Sequence, residues 1–263
     1  MTHSDKLRIR RIRRTIPAHP WLEHLPLLDE TDSTNTCAKK LASGGAPAGT
    51  VILAERQTAG RGRLGRSFLS PAGGLYMSVI LRPEGDPAQY LHLTACAAVA
   101  TMRAIEETTG ARTQIKWPND LLCGGKKVCG ILTERSGDAM ILGIGINCNQ
   151  TEFDPSIADI AASLRMETGK AVDRSALAGN LIHMIYALSL TLFSHKENWL
   201  RRYREACMTV GRDVTLLRGD TAVAAHADGI GENGELLVTY PDGTKDTVTF
   251  GEVSVRGISG TYT

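Results

Sequence analysis

The chain has 263 residues, of which 42% are hydrophobic, so it is long enough to bury a sizeable core. Its 30 Lys and Arg against 28 Asp and Glu leave a formal net charge of +2, which excludes a protein whose overall charge drives binding to nucleic acid or to a membrane surface. No segment is apolar over the length needed to span a bilayer, and the 6 Cys lie far apart without a C-x-x-C pair. We therefore expect a soluble, cytoplasmic protein without a disulfide framework or a structural zinc site.

Charge is concentrated at the N-terminus. Six Lys or Arg fall within residues 6–14, interleaved with Leu7, Ile9 and Ile12. We interpret residues 1–20 as a flexible basic arm, because dense runs of like charge usually remain solvated. An organellar targeting arm and a nucleic-acid contact are the alternatives.

The first predicted element of the core is a helix that begins near residue 34 and stops at the glycines of residues 44–45. Asp32, Ser33 or Thr34 can cap its N-terminus. Hydroxyl groups and the amide of Asn35 gather there beside free backbone N–H groups, which also suits the polar head group of a small ligand.

A buried strand is predicted over residues 50–55, and it leads into the sequence GRGRLGR at residues 60–66. Glycines let this backbone wrap closely around a ligand, and Arg61, Arg63 and Arg66 can present several guanidinium groups to one anion. We interpret the loop as phosphate-binding. An arginine- and glycine-rich surface loop, or a weak contact to single-stranded RNA, is the alternative that the loop alone leaves open.

The middle of the chain predicts further strands around a buried helix. Residues 74–81 predict a strand, and residues 87–109 have the length and the alanine content of a buried helix. Residues 114–122 predict a strand that leaves the sheet at Pro118, because proline cannot donate to a central ladder. The bend carries the two polar residues that follow the proline.

A pair of glycines at residues 124–125 predicts a tight hairpin between two apolar strands. Strand alternation sends Lys126 and Lys127 to opposite faces, so at most one of them points into a site. The next strand contains Gly143 and Gly145, which let a ligand approach the backbone in mid-strand.

The last part of the chain changes in texture. Residues 173–207 predict one long helix, or two in succession, over one face of the sheet. After Gly211, short β runs separated by turn signals predict a small barrel-like β domain. The boundary between the two parts falls near residues 208–211.

Five motifs resemble those of biotin protein ligases in their order and approximate spacing. They are Ser33-Thr34-Asn35, the sequence QTAGRGRLGR at residues 57–66, the sequence KWPND at residues 116–120, the sequence KVCGI at residues 127–131 and the sequence GIGIN at residues 143–147. The resemblance covers about residues 29–150. It implies an α+β fold with a class II synthetase-like catalytic domain, a mixed sheet flanked by helices, over residues 21–208. It also implies a small SH3-like β barrel over residues 209–263.

The same resemblance implies an ATP-dependent ligase. Biotin and Mg-ATP would first form biotinyl-5'-AMP and pyrophosphate, and a specific lysine of a biotin carboxyl carrier protein domain would then take the biotinyl group. ATP, Mg²⁺ and biotin are therefore expected as substrates, with no tightly bound prosthetic group. Some bacterial members carry an N-terminal helix-turn-helix domain, whereas about 28 residues precede the core here. We expect no sequence-specific DNA binding, no membrane partner, and a homodimer.

Carried over onto this sequence, the motifs of the family assign the site residues. The catalytic residues would be Lys127, Arg61, Arg63 and Asp120. The biotin-binding residues would be Ser33, Thr34, Asn35, Gln57, Gly60, Arg61, Lys127, Gly130 and Gly143. The ATP-binding residues would be Arg61, Arg63, Arg66, Phe68, Trp117, Asn119, Lys127 and Asn147.

The chemistry of the residues agrees with these roles. A carboxylate that attacks an α-phosphate brings negative groups together, so fixed cations such as Arg61, Arg63 and Lys127 lower the barrier. Asp120 or Asn119 can hold Mg²⁺, which prefers hard oxygen ligands. Asp120 can also assist deprotonation of the acceptor lysine, or it can cap its own turn. Phe68 stands where members of the family often carry tryptophan, so aromatic packing over the ligand is kept without an indole.

Two alternatives remain open. A lipoate- or octanoyl-transferring enzyme of the same superfamily shares the sheet and the lysine, but its apolar ligand ring leaves Ser33, Thr34 and Gln57 poorly explained. An RNA-binding module would use the basic arm, the arginine loop and the β domain. Aromatic residues make up 5% of the chain and none lies inside the loop, which is poor for base stacking.

Overall fold

The computed structural model describes residues 5–83, 91–218, 221–249 and 254–257. They form a seven-stranded mixed sheet, a five-stranded antiparallel sheet, and helices on both faces of the first sheet. The strands of the first sheet are β1 (Leu27–Leu28), β2 (Val51–Ala54), β3 (Leu75–Leu81), β4 (Gln114–Lys116), β5 (Asp120–Cys123), β6 (Lys126–Ser136) and β7 (Ala139–Ile146). Their order is β1-β2-β3-β7-β6-β5-β4, with β1 parallel to β2 and the other neighbours antiparallel.

The two faces of this sheet carry different helices. The helices are α1 (Ile9–Thr15), α2 (Thr34–Ser43), α3 (Leu93–Thr109), α4 (Leu164–Thr168), α5 (Arg174–Thr191) and α6 (Lys196–Ala206). On one face, Ala38 of α2 packs in a small cluster with Ile52 and Ile141. On the other, Leu142 and Ile144 belong to the main core with α3 and α5. Because side chains alternate along a strand, β7 sends its odd-numbered residues toward α2. Within the described ranges, no helix combines the length and apolar character that crossing a membrane requires.

The observed elements confirm the predicted α+β class. The predicted helix over residues 87–109 is described from Leu93 onward, and residues 84–90 lie outside the described chain. The predicted helical stretch over residues 173–207 divides into α5 and α6, with a turn at residues 192–195 between them. This resolves the choice between one helix and two that the sequence pattern leaves open.

The second sheet lies in the C-terminal part of the chain. Its strands are β8 (Asp213–Arg218), β9 (Thr221–Ile230), β10 (Leu236–Thr239), β11 (Lys245–Val248) and β12 (Ser254–Gly257), in the order β11-β10-β9-β8-β12. The last of the short β runs predicted after Gly211 covers residues 247–250. It overlaps the end of β11, and Phe250 lies outside the described residues. Trp117 Nε1 donates a hydrogen bond of 2.9 Å to the carbonyl of Gly234, which ties the first sheet to this region.

The N-terminal segment is folded, so its interpretation as a flexible arm is wrong for residues 5–20. Ile12 of α1 is fully buried against the core, and its carbonyl lies close to Gly179 of α5. The backbone N–H of Leu7 donates to Glu55 Oε1 at 2.6 Å, and that of Arg8 donates to Ser175 Oγ at 3.0 Å. The apolar residues between the basic ones are spaced to bury one face of a helix while the cations stay in water.

A buried ion network anchors the same segment. The Arg174 side chain is 2% exposed, and its guanidinium contacts Asp5 Oδ1 at 3.1 Å, Glu55 Oε2 at 2.9 Å and the carbonyl of Gly74 at 2.7 Å. Arg174 Nη2 also donates to the backbone carbonyl of Asp5. Burial disfavours the charged guanidinium, but the two carboxylates raise the pKa of Arg174 above its ordinary value. Removing either side of such a buried network leaves an uncompensated charge.

Replacing Ile12 with Ala tests the docking of α1. We expect Ile12→Ala to lower the free energy of unfolding by about 2–4 kcal/mol, because a large side chain leaves a packed interior. Denaturant titration measures the change. The exposed neighbour Arg10 provides the control, and Arg10→Ala is expected to change stability by less than about 0.5 kcal/mol. Equal stability of the Ile12 variant and the wild type would support the interpretation of this segment as a flexible arm.

Candidate functional site

A cavity of about 400 Å³ lies on the α2 side of the first sheet. Its wall combines the N-terminus of α2, the loop over residues 61–69, strands β6 and β7, and residues 153–161. Most of the residues that the sequence predicts for the site line this cavity. They are Ser33, Thr34, Asn35, Gln57, Arg61, Arg63, Arg66, Phe68, Trp117, Asn119, Asp120, Lys127, Gly130, Gly143 and Asn147.

One end of the cavity is neutral and polar, and it is built on the N-terminus of α2. Ser33 occupies the N-cap position without a capping hydrogen bond from its side chain, which leaves its hydroxyl for another partner. The backbone N–H of Thr34 donates to Gln57 Oε1 at 2.8 Å, so a residue from outside the helix satisfies this terminal donor. Gln57 Nε2 in turn donates to Ser70 Oγ at 2.7 Å, which fixes the orientation of its amide.

Asn35 completes this polar end. Its Oδ1 lies 2.6 Å from Ser78 Oγ on β3, and its Nδ2 donates to Glu134 Oε2 on β6 at 2.8 Å. The side chain rests on Gly143 of β7, where a Cβ atom would stand 2.2 Å from Asn35 Oδ1. A glycine is therefore required at this position for the amide to occupy its place.

The other end of the cavity is cationic, and Lys127 lies at its centre. Lys127 Nζ forms an ion pair of 2.8 Å with Asp120 Oδ1 and lies 5.8 Å from the centre of the Phe68 ring. The neighbouring Lys126 does not line the cavity, and its Nζ donates to the carbonyl of Ala158 at 2.9 Å. The two lysines thus take different sides, as strand alternation predicts, although Lys126 is bonded to the protein rather than solvated.

The arginine loop is folded over this end. The backbone N–H of Gly62 donates to the carbonyl of Arg66 at 2.7 Å, and that of Phe68 donates to the carbonyl of Gly60 at 2.9 Å. Gly60 is the one predicted site residue outside the cavity wall, and a Cβ atom there would stand 2.3 Å from the Phe68 carbonyl. In the described structure Gly60 shapes the loop, because only a residue without a side chain fits at that crossing.

Arg63 reaches from this loop across the cavity. Its Nη1 lies 3.4 Å from Asn119 Oδ1, while its Nη2 is buried with no hydrogen-bond partner among the described residues. Burial lowers the pKa of Arg63, although the charge of Asp120 acts in the opposite direction. A buried guanidinium with an unused donor is suited to an anionic ligand.

Three further predicted residues donate side-chain hydrogen bonds to backbone carbonyls. The Trp117 indole is almost fully buried and bonded to Gly234. Asn119 Nδ2 donates to the carbonyl of Ile131 at 2.8 Å, and Asn147 Nδ2 donates to the carbonyl of Ala162 at 3.1 Å. These groups shape the wall, and their hydrogen bonds hold neighbouring strands in place.

Several residues of the site escape prediction from the sequence. Lys116 and Tyr76 line the cavity, and Glu134 bonds to Asn35 beside it. Glu134 lies four residues after Gly130 on β6, so the two residues lie on the same face of the strand. This spacing is the sequence signal that points to Glu134 as a residue of the site. The wall over residues 153–161 carries no motif. Its position follows from the pairing of Lys127 with Ile160 and Ala162, through backbone bonds of 2.9 and 3.0 Å.

The arrangement is suited to a ligand with a neutral polar head and a polyanionic tail. Five Lys or Arg and one Asp line the cavity among the described residues. Gly143 and Gly145 lie two residues apart on one face of β7, so the polar end and the Phe68–Lys127 end are separated by about 7 Å. One molecule or two adjoining molecules can therefore span both ends.

Comparisons with known proteins agree with this geometry. The profile described as the Biotin/lipoate A/B protein ligase family matches residues 27–150. The Bifunctional ligase/repressor BirA of Bacillus subtilis is 36% identical over 232 residues, which cover 85% of this chain and 71% of that protein. The Biotin--[acetyl-CoA-carboxylase] ligase of Paracoccus denitrificans is 34% identical over 233 residues, covering 82% of this chain and 95% of that protein.

A solved structure shares the architecture over most of the chain. The biotin protein ligase from Aquifex aeolicus in complex with biotin and ATP superposes with a TM-score of 0.79 at 34% identity, covering 89% of this chain and 99% of that one. The mixed sheet and its two-ended cavity define a class II synthetase-like catalytic domain. With these relatives, the chain belongs to the family of biotin protein ligases.

Replacing Arg63 tests the cationic end with a simple anion. We expect Arg63→Met to weaken the binding of inorganic tripolyphosphate by about tenfold or more, because a charge-assisted hydrogen bond is lost from a buried donor. Isothermal titration calorimetry measures the affinity. Arg14→Met, at an exposed arginine of α1, is the matched control and should leave it unchanged. Equal affinities for both variants would show that Arg63 does not bind the anion at this end of the cavity.

Proposed function

We propose that this protein is an ATP-dependent biotin protein ligase. It forms biotinyl-5'-AMP from biotin and ATP, and it then transfers the biotinyl group to a lysine of a biotin carboxyl carrier protein. The single observation that carries the proposal is the two-ended cavity, whose neutral hydrogen-bonding end adjoins a cluster of cations within about 7 Å. The relatives with matching names and the solved complex with biotin and ATP support the same assignment.

The neutral end suits the ureido ring of biotin. That ring carries two N–H donors and one carbonyl acceptor, so it needs both kinds of partner in a mostly apolar cleft. Ser33, Thr34, Asn35 and Gln57 are the residues we assign to it, with Gly143 leaving the space that the Asn35 amide occupies beside the ring. A lipoyl ring is apolar and would offer no partner to the Ser33 hydroxyl, which makes no capping hydrogen bond, and this favours biotin over the lipoate alternative.

The cationic end suits the carboxylate and the phosphates. In the first step a carboxylate oxygen of biotin attacks the α-phosphorus of ATP, and the bond to the bridging oxygen of the leaving pyrophosphate breaks. Arg61, Arg63 and Lys127 line the cavity, and they are the residues we assign to meet the negative charge of this step. At an effective dielectric constant of about 20, one cation about 4 Å from a negative oxygen contributes roughly 4 kcal/mol before desolvation is subtracted. The Asp120 ion pair holds Lys127 in position beforehand, so little reorganisation is needed.

In the second step the neutral amine of the acceptor lysine attacks the acyl carbon, and AMP leaves with the electrons of the broken C–O bond. Asp120 is the only carboxylate among the described residues that line the cavity. It is the group we assign to accept the proton of the acceptor amine or to orient that amine. The loop over residues 61–69 lines the cavity, and we assign to it the protection of the mixed anhydride from water between the two steps.

Magnesium would accompany ATP as part of the substrate. No group of three His, Cys, Asp or Glu side chains that could hold a metal occurs within the described ranges. Mg²⁺ is commonly held by one or two carboxylates together with phosphate oxygens, so the single carboxylate of Asp120 fits this use. When bound, the ion would neutralise phosphate charge and orient the triphosphate.

The finer partner assignments stay predictions. These are a homodimer, the absence of sequence-specific DNA binding, and a cytoplasmic location. The domain division near residue 209 and the SH3-like identity of the second sheet are proposals of the same kind. The acceptor class itself follows from the family.

Exchange of labelled pyrophosphate into ATP tests the proposed function directly. We expect exchange that depends on biotin, because formation of the adenylate is reversible and requires biotin as the nucleophile. Lipoate and octanoate are the control acids. Exchange driven by lipoate and not by biotin would support the rival transferase, and the absence of exchange with every acid would overturn the ligase assignment.

The two neighbouring lysines provide a matched test of the catalytic assignment. We expect Lys127→Met to lower the rate of biotin-dependent exchange by about a hundredfold or more, because a fixed cation is lost beside the reacting oxygens. Lys126→Met removes the same charge on the other side of β6 and should change the rate less than about threefold. Thermal melting shows whether both variants fold. Equal losses in the two variants would refute the role of Lys127.

A further inference from the structure

The polar end of the cavity depends on Glu134, a residue without a role in the proposed chemistry. Its side chain projects from β6 toward α2 and is 22% exposed. Glu134 Oε2 accepts from Asn35 Nδ2 at 2.8 Å, and Oε1 accepts from Lys39 Nζ at 2.6 Å. Arg61 Nη1 stands 3.9 Å from Oε1. Two residues of α2 and one of the arginine loop therefore meet at one carboxylate.

Glu134 is ionised and so can only accept hydrogen bonds. Burial raises the pKa of Glu134, but the hydrogen bonds from Lys39 and Asn35 outweigh it, so the pKa lies below its ordinary value. An ionised carboxylate has no hydrogen to donate. Asn35 must therefore turn its NH₂ group toward Glu134 and its Oδ1 toward Ser78.

The direction of the next hydrogen bonds follows from a count of hydrogens. Ser78 Oγ lies 2.6 Å from Asn35 Oδ1 and 2.8 Å from Thr34 Oγ1, and a serine hydroxyl has one hydrogen. Asn35 Oδ1 is an acceptor only, so the hydrogen of Ser78 goes to it. The one hydrogen of the Thr34 hydroxyl then goes to Ser78 Oγ at 2.8 Å or to Gln57 Oε1 at 3.1 Å, and the lone pairs of Thr34 Oγ1 are left to accept from a ligand. One carboxylate thus fixes donors and acceptors through three side chains.

We propose that Glu134 is a positioning residue that sets the hydrogen-bond polarity of the polar end of the cavity and thereby selects a ureido ring. The inference rests on the proposed function, because it assigns the ureido head of biotin to this end. Glu134 acts through Asn35, Ser78 and Thr34 and does not line the cavity itself. Its contact with Arg61 contributes little, because that pair is long and the arginine is 54% exposed.

An analogue of biotin provides the test. In a cyclic carbamate analogue of biotin, the ureido N–H that donates to Thr34 Oγ1 is replaced by an oxygen, so a donor becomes an acceptor. The measured quantity is the ratio of kcat/KM for biotin to kcat/KM for this carbamate in pyrophosphate exchange, in wild type, Glu134→Gln and Glu134→Ala. A glutamine can present NH₂ to Asn35, which lets the amide turn over and reverses the network. We expect the ratio to fall by about tenfold to a hundredfold in both variants, with KM for ATP unchanged.

Lys39→Met is the matched control. It removes the other strong partner of Glu134 and leaves the bond to Asn35, so the ratio should stay within about twofold of the wild type. A Glu134 variant with an unchanged ratio would overturn the inference. An unchanged ratio together with a rise in KM for both biotin and ATP would overturn it too, because such a rise indicates a general structural defect. Wild-type protein that shows no biotin-dependent exchange would instead refute the proposed function. Comparison of the Gln and Ala variants by thermal melting separates loss of folding from loss of polarity.

Discussion

The cavity depends on glycines in two adjacent strands, β6 and β7. At these positions any larger residue would place a side chain on the α2 face of the sheet and fill the space. Gly130 of β6 pairs directly with Gly145 of β7, and Gly143 lies one step further along the same face. Where larger residues return at Ile141, α2 packs on the sheet and the space closes. A Cβ atom at Gly145 would stand 2.6 Å from the Phe68 ring, so the missing side chains also decide where the loop packs. The volume of the site, the position of the loop and the packing of the Asn35 side chain all depend on Gly130, Gly143 and Gly145.

Most polar groups of the site are held by other protein groups. Gln57 is fixed between Thr34 and Ser70, and Lys127 is held by Asp120. Leaving a buried polar atom without a partner costs about 1–3 kcal/mol, so each link restricts the side chain to one orientation. The unused donor of Arg63 is an exception within the described structure. Catalysis by charge stabilisation requires such fixed dipoles, because they do not reorganise during the reaction.

Much of the fold and of the candidate site could be predicted, for physical reasons that differ between residues. Periodicity and turn residues carry local information, so the strands around Pro118 and the opposite faces of Lys126 and Lys127 follow from the sequence. Apolar residues at helical spacing among the N-terminal arginines carry the same kind of signal, but charge density outweighed it in the interpretation as an arm. Glu134 could not be found as a partner of Asn35, because 99 residues separate them and only the sheet brings them together. The motifs of the family predict which residues line the cavity. The hydrogen bonds within it depend on how the fold places side chains that are distant in the sequence, so they could not be predicted.

The docking of the N-terminal segment has a consequence for synthesis on the ribosome. Its anchors come from late in the chain, since Arg8 bonds to a residue 167 positions away and Asp5 to one 169 positions away. A segment that leaves the exit tunnel early therefore waits for α5 before it can bury its apolar face. During that interval its arginines and isoleucines are exposed together. The contacts between the N-terminal segment and α5 therefore form late in folding, because contacts between residues far apart in the sequence carry a larger entropy cost of loop closure.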